Sequence, residues 1–286
     1  MNRRNFLTQL GAAAAVPVLA SADQFTGRIF KAVKVSMIRG KMPLLDKFKI
    51  AQDAGFDGIS LFAPDMFDLR EALVAQDKTG VRIHNINDSV HWKVRLTDAD
   101  PAVRAKALQA MKDALQFAHD CGADSILLVI GKVTDPTSEN EQQVRARSIE
   151  NIRKAIPVAA RLGVRILCEN VGNGFLPDAK QWAEYLDVFD SPWVGALFDI
   201  GNHDGYGGAP HWIRTLDHRV IKIDVKDRNR DRNKNCDLFE GHVDWPGVRQ
   251  ALHGIRFNGW ATAEVSAGDA ARMKQVVERM NKALRI

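Results

Sequence analysis

The sequence predicts an α/β fold in which eight strand–helix units close into one (β/α)8 TIM barrel. Eight short apolar runs recur along the 286 residues, at intervals of roughly 20–40 residues. Helical patterns fill the intervals between them, as expected for βα units that build a parallel sheet. No G-x-G-x-x-G follows the first run, which disfavours the alternative, an open doubly wound sheet. Length and composition suit a single domain of this kind.

The predicted strands are short and rich in apolar residues, and several of them close on a polar residue. The same short pattern connects a predicted helix to the next predicted strand at three places: the end of the helix, a glycine, and then the strand. These places are the segments 54–57, 121–124 and 162–165. The predicted strands are 33–38, 57–62, 81–86, 124–130, 164–169, 194–199, 220–224 and 260–264.

Two of the intervening helices have clear signals. Asp100 and Pro101 supply an N-cap and a first-turn proline, and apolar residues then recur at helical spacing until Gly122. A second helix runs from about residue 144 to Gly163, again with apolar residues at helical spacing.

The last four predicted strands each end on an acidic residue: Glu169, Asp199, Asp224 and Glu264. Parallel barrel strands present their carboxyl ends at one rim, where active sites lie. Four carboxylates there would repel each other strongly unless a cation lay among them. The sequence therefore predicts a metal site.

All four candidate ligands are oxygen donors, which favours a hard divalent cation over Zn²⁺. Mn²⁺ is the preferred prediction, with Mg²⁺ or Ca²⁺ as alternatives. Such an ion could hold adjacent oxygens of a sugar, polarise a carbonyl and stabilise the enediolate formed when a neighbouring proton leaves. Glu169 and Glu264, on well-separated strands, are the predicted catalytic pair that removes and returns this proton.

Other polar and aromatic residues follow the same strand ends and are predicted to contact a sugar or keto-sugar. Trp92 is a candidate for stacking on a sugar face, or it packs the barrel mouth. Lys222 shares strand parity with Asp224, so it should point inward as a charge partner. The predicted substrate-binding residues are His84, Trp92, Asn202, Lys226 and Arg230.

The first 22 residues have the pattern of an export signal. Arg3 and Arg4 precede a short apolar run, and 20–22 read Ala-Ser-Ala, which fits a cleavage site. The paired arginines favour the twin-arginine (Tat) route. We therefore expect a signal at 1–22, a barrel domain at 23–286, and a periplasmic or otherwise exported protein.

Charge and cysteine content narrow the function classes. Loss of the signal removes two arginines and no acid, so the net charge falls from +5 to +3, which is weak support for a nucleic-acid partner. No nucleic-acid partner is therefore expected. No membrane span is expected either, since no other stretch is long and apolar enough to cross a bilayer. The three cysteines form no paired framework. The oligomeric state stays open, a homo-oligomer included.

Several motifs resemble the xylose isomerase-like TIM barrels, a family of sugar phosphate isomerases and epimerases related to ketose 3-epimerases and hydroxypyruvate isomerases. The resemblance covers nearly all of the chain after the signal. Its most specific segments are 169–171 (ENV), 198–202 (FDIGN), 225–227 (VKD) and 241–245 (GHVDW).

The family typically holds one divalent ion through Glu, Asp, His and Glu, and the resemblance therefore implies this role for Glu169, Asp199 and Glu264. Asp224 stands where the family usually has His. Asn202 stands where the epimerases have a substrate-contacting His, and Phe175 stands where they have a second Glu. Arg230 matches a family arginine. These departures indicate a substrate pocket unlike that of a standard ketose epimerase.

The predicted function is an exported, metal-dependent sugar isomerase or epimerase. One alternative is a 3-keto-glycoside lyase, which would use the same site for β-elimination. The other is a sugar-binding module with an impaired metal site, for which the substitution at Asp224 is the main support.

Overall fold

The computed structural model describes residues 25, 27–203 and 207–286, and in this part of the chain it contains ten strands and eight helices. The signal predicted at 1–22 lies outside the described residues. The strands are β1 (Ile29–Lys34), β2 (Gly58–Ala63), β3 (Arg82–Asp88), β4 (Ser125–Val129), β5 (Arg165–Glu169), β6 (Val194–Asp199), β7 (Val220–Val225), β8 (Asp227–Asn229), β9 (Lys234–Cys236) and β10 (Gly259–Ala263). The helices are α1 (Leu44–Ala54), α2 (Leu69–Thr79), α3 (Pro101–Cys121), α4 (Glu141–Leu162), α5 (Ala179–Asp187), α6 (Ala209–Leu216), α7 (Trp245–Gly254) and α8 (Ala270–Leu284).

Eight of the strands, β1–β7 and β10, form a closed parallel barrel in chain order, and β1 closes it by pairing with both β2 and β10. The predicted (β/α)8 barrel is confirmed. The glycines at the helix ends behave as predicted: Gly122 and Gly163 end α3 and α4 with φ of 75° and 68°, a left-handed conformation that costs glycine little. Among the described residues, no helix is long and apolar enough to cross a membrane.

The first strand lies earlier than the sequence predicts. It runs over Ile29–Lys34, and residues 35–37 form a 3-10 turn, so the predicted strand at 33–38 is wrong in its bounds. The stretch after Lys34 is apolar because Val35, Met37 and Ile38 are buried in the core. The strand itself is set by barrel closure, which pairs its residues 29–33 with residues 259–263 of β10. Lys34 consequently ends a strand at the active-site rim.

Side chains alternate between the barrel interior and the layer of helices. In β5, Leu167 packs inside the barrel with Leu127 and Leu197, whereas Cys168 is buried in the larger core between strands and helices. Glu169 is the next inward residue along β5, so the alternation delivers a carboxylate to the rim.

A buried carboxylate organises the loop after β7. Asp227 is fully buried and accepts hydrogen bonds from the backbone N–H groups of Phe239 (2.9 Å) and Val243 (3.1 Å) and from the indole N–H of Trp245 (3.0 Å). It thereby ties the β8–β9 hairpin and the start of α7 to the end of the barrel strand. The 225–227 and 241–245 motifs meet at this residue.

Candidate metal and active site

Four acidic side chains meet at the carboxyl-terminal rim. Glu169 and Asp199 are the last residues of β5 and β6, Asp224 is the penultimate residue of β7, and Glu264 follows β10. One carboxylate oxygen from each lies within 4.8 Å of the others. The sequence therefore identified a real cluster, although its role as a ligand set stays a prediction.

The oxygen atoms of this cluster suit a cation. Asp199 and Asp224 are essentially inaccessible to solvent, at 0% and 1% exposure. Asp224 Oδ1 has no hydrogen bond and no ion pair to the described residues, whereas Asp199 Oδ2 and Asp224 Oδ2 each lie against a lysine ammonium group. Buried polar atoms are normally paired, and an unpaired charged one is costly. An all-oxygen donor set with an unpaired buried oxygen fits a hard divalent ion.

Two lysines partly neutralise the cluster. Lys34 Nζ lies 2.7 Å from Asp224 Oδ2 and 2.8 Å from Glu264 Oε2, and Lys226 Nζ lies 2.7 Å from Asp199 Oδ2 and 3.6 Å from Glu264 Oε2. When all four carboxylates are ionised, the cluster with its two ammonium groups has a net charge of −2. One divalent cation would neutralise this charge.

Lys34 is the functional candidate that sequence reasoning missed. The predicted first strand began at residue 33, which placed Lys34 near its start and at the far end of the barrel. The sequence pattern that identified the four acids could also have identified Lys34, because it too is a charged residue at the end of a strand.

Burial raises the pKa of three of the carboxylates. Desolvation is the largest cause for Glu169, Asp199 and Asp224, and the neighbouring carboxylates add to it. The pKa of Asp199 rises to about 8 although Lys226 opposes the shift, and that of Asp224 rises to about 6 against the effect of Lys34.

Glu264 behaves in the opposite way. Burial acts to raise its pKa, but the adjacent ammonium groups of Lys34 and Lys226 outweigh burial and hold the pKa below its ordinary value. The two predicted catalytic glutamates therefore have contrasting environments, with the pKa of Glu169 raised well above its ordinary value.

Two asparagines brace the ends of β5 and β6. Asn170 accepts a hydrogen bond from the Asp199 N–H (2.8 Å) and donates to the Asp199 carbonyl (3.1 Å). Asn202 donates its side-chain N–H to the Asn170 carbonyl (2.8 Å), and Asp199 Oδ1 accepts from the Asn202 backbone N–H (3.0 Å). These contacts fix the Asp199 carboxylate in place.

A cavity of about 430 Å³ opens above the carboxylates. Trp92, Asn202 and Lys226 line it, as predicted for substrate-binding residues, and so does Lys34. Trp92 is 57% exposed, so its ring is available for contact. The other lining residues are Ser36, Phe62, Asn87, His91, Leu127, Glu169, Val171, Gly172, Asn173 and Glu264.

His84 and Arg230 do not line this cavity. The sequence placed His84 near the end of the third strand, but it is the third residue of β3 and lies buried in the barrel, stacked on Trp260 with ring centroids 4.6 Å apart. This position places His84 below the rim, and its predicted substrate contact stays a prediction. Arg230 lies in the β8–β9 turn and donates to the His242 carbonyl (3.1 Å).

Lys222 points into the barrel, as its strand parity predicted. Its Nζ forms a short contact with Asp124 Oδ1 and lies 3.3 Å from His84 Nδ1. Asp124 directly precedes β4, so this ion pair lies at the amino-terminal end of the barrel. Lys222 is therefore a charge partner remote from the rim.

A family model described as "Xylose isomerase-like TIM barrel" matches residues 48–284. The chain belongs to this family. The family prediction made from the motifs is thus confirmed.

Two proteins of similar sequence or fold are named as sugar epimerases, and a third is known with a bound metal. The L-ribulose-5-phosphate 3-epimerase UlaE of Escherichia coli O1:K1 is 28% identical over 259 residues, covering 84% of this chain and 90% of its own. The 3-keto-D-glucoside 4-epimerase YcjR of E. coli has a similar fold, with TM-score 0.72 at 15% identity over 90% of this chain and 99% of its own. A structure of the IolI protein with a bound zinc atom has TM-score 0.75 at 13% identity, over 89% of this chain and 98% of its own. These names agree with the prediction of an enzyme, and the IolI structure shows that a protein of this fold can bind a divalent metal.

The affinity for a divalent cation should rise with pH. Below pH 8 the Asp199 carboxyl, with its pKa near 8, carries a proton that the cation must displace. We expect the affinity to increase about tenfold per pH unit from pH 6 to 8 and then to level off. Calorimetric titration with Mn²⁺ in buffers of different ionisation enthalpy measures the released proton. An affinity that stays constant from pH 6 to 8 would contradict the protonated state of the cluster.

Lys34→Met should strengthen divalent-metal binding by about tenfold, since it removes a positive charge in contact with two candidate ligands. Lys31→Met on the same strand is the matched control, because Lys31 Nζ contacts Asn281 Oδ1 outside the rim (3.1 Å). Dissociation constants for Mn²⁺ decide the outcome. Weaker binding in Lys34→Met alone would mean that Lys34 holds the carboxylates in a binding geometry.

Proposed function

We propose that this protein is a divalent-metal-dependent sugar isomerase or epimerase that removes a proton from the carbon next to a carbonyl. The observation that carries this proposal is the cluster of four rim carboxylates, which outnumber the two lysines paired with them and lie directly under an open cavity. The family and the sugar epimerases among its relatives support the same reaction class.

Glu169, Asp199, Asp224 and Glu264 would hold the ion. We propose Mn²⁺, with Mg²⁺ or Ca²⁺ as alternatives, because all four side chains offer hard oxygen donors. A bound divalent ion polarises the substrate carbonyl and stabilises the negative charge that develops when the proton leaves.

The two glutamates can act on opposite sides of a sugar. In the barrel, β6 and β7 separate β5 from β10, so Glu169 and Glu264 face each other across the Asp199 and Asp224 carboxylates. One carboxylate takes the proton from carbon and the other returns a proton, which inverts the centre or moves the carbonyl. Phe62 and Trp92 supply apolar surface in the wall of the cavity.

The substrate we propose is an uncharged sugar or keto-sugar, although the curated relative UlaE is named for a phosphorylated one. Lys34 and Lys226 are the basic residues in the cavity wall, among the described residues, and both contact carboxylates. No arginine of the described chain lines the cavity, whereas phosphate recognition favours arginine or uncommitted lysine.

β-Elimination from a 3-keto-glycoside is the second candidate function. If an oxygen substituent lies β to the carbonyl, the C–H electrons can form a C=C bond while the C–O bond breaks, and the leaving oxygen takes up a proton. A smaller cavity that shares His91 and Trp92 with the main one favours this candidate, because a leaving group needs room beside the reacting unit.

Incubation with ketoses and 3-keto-glycosides in D₂O tests both reactions. Epimerisation should incorporate deuterium at the carbon next to the carbonyl, because a solvent-derived proton is returned there. Elimination should instead replace the C–H bond by a C=C bond and release a leaving group, and NMR detects both outcomes. Glu169→Gln and Glu264→Gln should each lower the rate by about 10²–10⁴-fold, since each removes a proton-transfer group.

Glu184→Gln is the matched control, because Glu184 is an exposed carboxylate on α5. The enzyme proposal fails if the metal-loaded protein catalyses neither deuterium exchange nor release of a leaving group with any of these sugars. Sugar binding without either reaction would instead identify a binding module.

We also propose that the protein is exported through the Tat route to the periplasm or beyond, on the basis of the pattern at residues 1–22. Replacing both arginines, Arg3→Lys with Arg4→Lys, should leave the full-length precursor in the cytoplasm. Cell fractionation measures the distribution. Arg28→Lys with Arg39→Lys is the control, and unchanged export of the Arg3, Arg4 variant would contradict the Tat route.

A further inference from the structure

His91 places an imidazole in the wall of the main cavity. The residue lies after β3, in the turn that leads towards α3, and it lines both the main cavity and the smaller one beside it. Lys34, Glu169 and Glu264 line the same main cavity. A sugar bound over the carboxylates would therefore come within reach of this imidazole.

The turn that carries His91 is fixed by a buried carboxylate. Asp88, the last residue of β3, is buried and accepts hydrogen bonds from the backbone N–H groups of Val90 (3.0 Å) and His91. The Val90 carbonyl in turn accepts from the N–H groups of Lys93 and Val94, at 2.8 Å each. The backbone at His91 is thereby held to the end of a barrel strand, which is the support that a group acting on a substrate requires.

One nitrogen of the His91 ring is occupied by the protein. Nδ1 accepts a long hydrogen bond from the Val129 N–H (3.5 Å), and the ring packs edge-on against Trp92 with ring centroids 5.5 Å apart. A neutral imidazole whose Nδ1 accepts carries its proton on Nε2. Val129 is the strand partner of Glu169 in the register of β4 and β5, so the ring is anchored one strand away from this glutamate.

The other ring nitrogen is open to the cavities. His91 Nε2 has no hydrogen-bond partner among the described residues. In the same part of the chain, the inaccessible side-chain atoms without a hydrogen bond belong to Thr97, Trp182, Asp199 and Asp224. Since Nε2 is not one of these atoms, it is accessible, and it offers an N–H donor to a molecule in the cavity.

The surroundings of His91 keep its ring uncharged. Burial is the main cause that lowers the pKa of His91 to about 4, and the ammonium group of Lys34 adds to this effect. The imidazole is therefore neutral at pH 6 and above. A histidine kept neutral by its surroundings can polarise a carbonyl by donating its ring N–H to the oxygen.

We propose that His91 is a further catalytic residue, which donates its Nε2–H to the substrate oxygen on which negative charge develops when the proton leaves carbon. The hydrogen bond is stronger to the charged oxygen than to the carbonyl, so it lowers the barrier more than it tightens binding. The N–H bond stays intact and the ring stays neutral. The assignment rests on the proposed function, and it holds for epimerisation and elimination alike because both develop this charge.

His91→Gln and His91→Phe separate the hydrogen bond from the packing of the ring. Glutamine keeps an uncharged N–H donor on a side chain of similar reach, whereas phenylalanine keeps a flat ring and removes the donor. With the sugar that the metal-loaded wild type converts, His91→Phe should lower kcat by about 10²-fold or more, the cost of losing one donor to an oxyanion. KM should change by less than about threefold, and His91→Gln should recover at least about tenfold of the lost kcat.

His253→Phe is the matched control, because His253 is exposed on α7 and does not line the cavity. It should keep the wild-type kcat. Thermal unfolding of each variant reports whether the fold is intact. A kcat within about threefold of wild type in His91→Phe overturns the assignment, and so does an equal loss of kcat in His91→Gln and His91→Phe.

Nitrogen NMR of protein with isotope-labelled histidine tests the state of the ring without turnover. The His91 signals, identified by their absence in His91→Gln, should show a neutral ring protonated on Nε2 from pH 6 to 8. The ratio of kcat between wild type and His91→Gln should stay constant over the same range, since neither side chain changes its charge there. A ring that titrates with a pKa of about 6.5, or one protonated on Nδ1, overturns the assignment.

Turnover by the wild type separates this inference from the function on which it rests. Deuterium exchange or leaving-group release in the wild type, together with an unchanged kcat in His91→Phe, overturns the role of His91 and leaves the enzyme proposal standing. No turnover of any of the sugars by the metal-loaded wild type overturns both.

Discussion

Repulsion among four buried carboxylates at one rim of the barrel constrains everything around them. Glu169, Asp199, Asp224 and Glu264 approach within 4.8 Å of one another, with two of them almost completely removed from solvent. Desolvation and mutual repulsion both oppose the charged state, as the raised pKa of Asp199 shows. The cluster therefore requires positive charge nearby. Lys34 and Lys226 supply part of it, and a divalent ion would supply the rest.

The barrel itself places the compensating charge. Closure of the barrel pairs β1 with β10. Lys34 is the last residue of β1 and Glu264 directly follows β10, so this pairing brings the two side chains into contact. Alternation along β7 places Lys226 two residues beyond Asp224, on the same inward side. Asp224 stands where the resemblance implies histidine, and Lys34 contacts this aspartate at 2.7 Å. The extra negative charge of Asp224 and the positive charge of Lys34 are thus neighbours in space, although the two residues are 190 positions apart in sequence.

The ion pairs around the cluster also bear on the substrate that we propose. Lys34 and Lys226 are the cationic side chains of the main cavity among the described residues, and both contact carboxylates. Because their charges are already compensated, the cavity favours an uncharged sugar over a phosphorylated one.

The sequence by itself determined the eight βα units, the family and the four rim acids. These features are local: a strand's apolar run and the acid that closes it are adjacent in the chain, and parallel strands present their ends at one rim. Tertiary structure alone decided that Lys34 joins the acids, that His84 lies below the rim, and that His91 lines the main cavity. Each of these depends on long-range pairing, such as the register between residues 29–33 and 259–263, or on loop packing. No local pattern of apolar and polar residues specifies such contacts, because their energy arises only when distant segments meet.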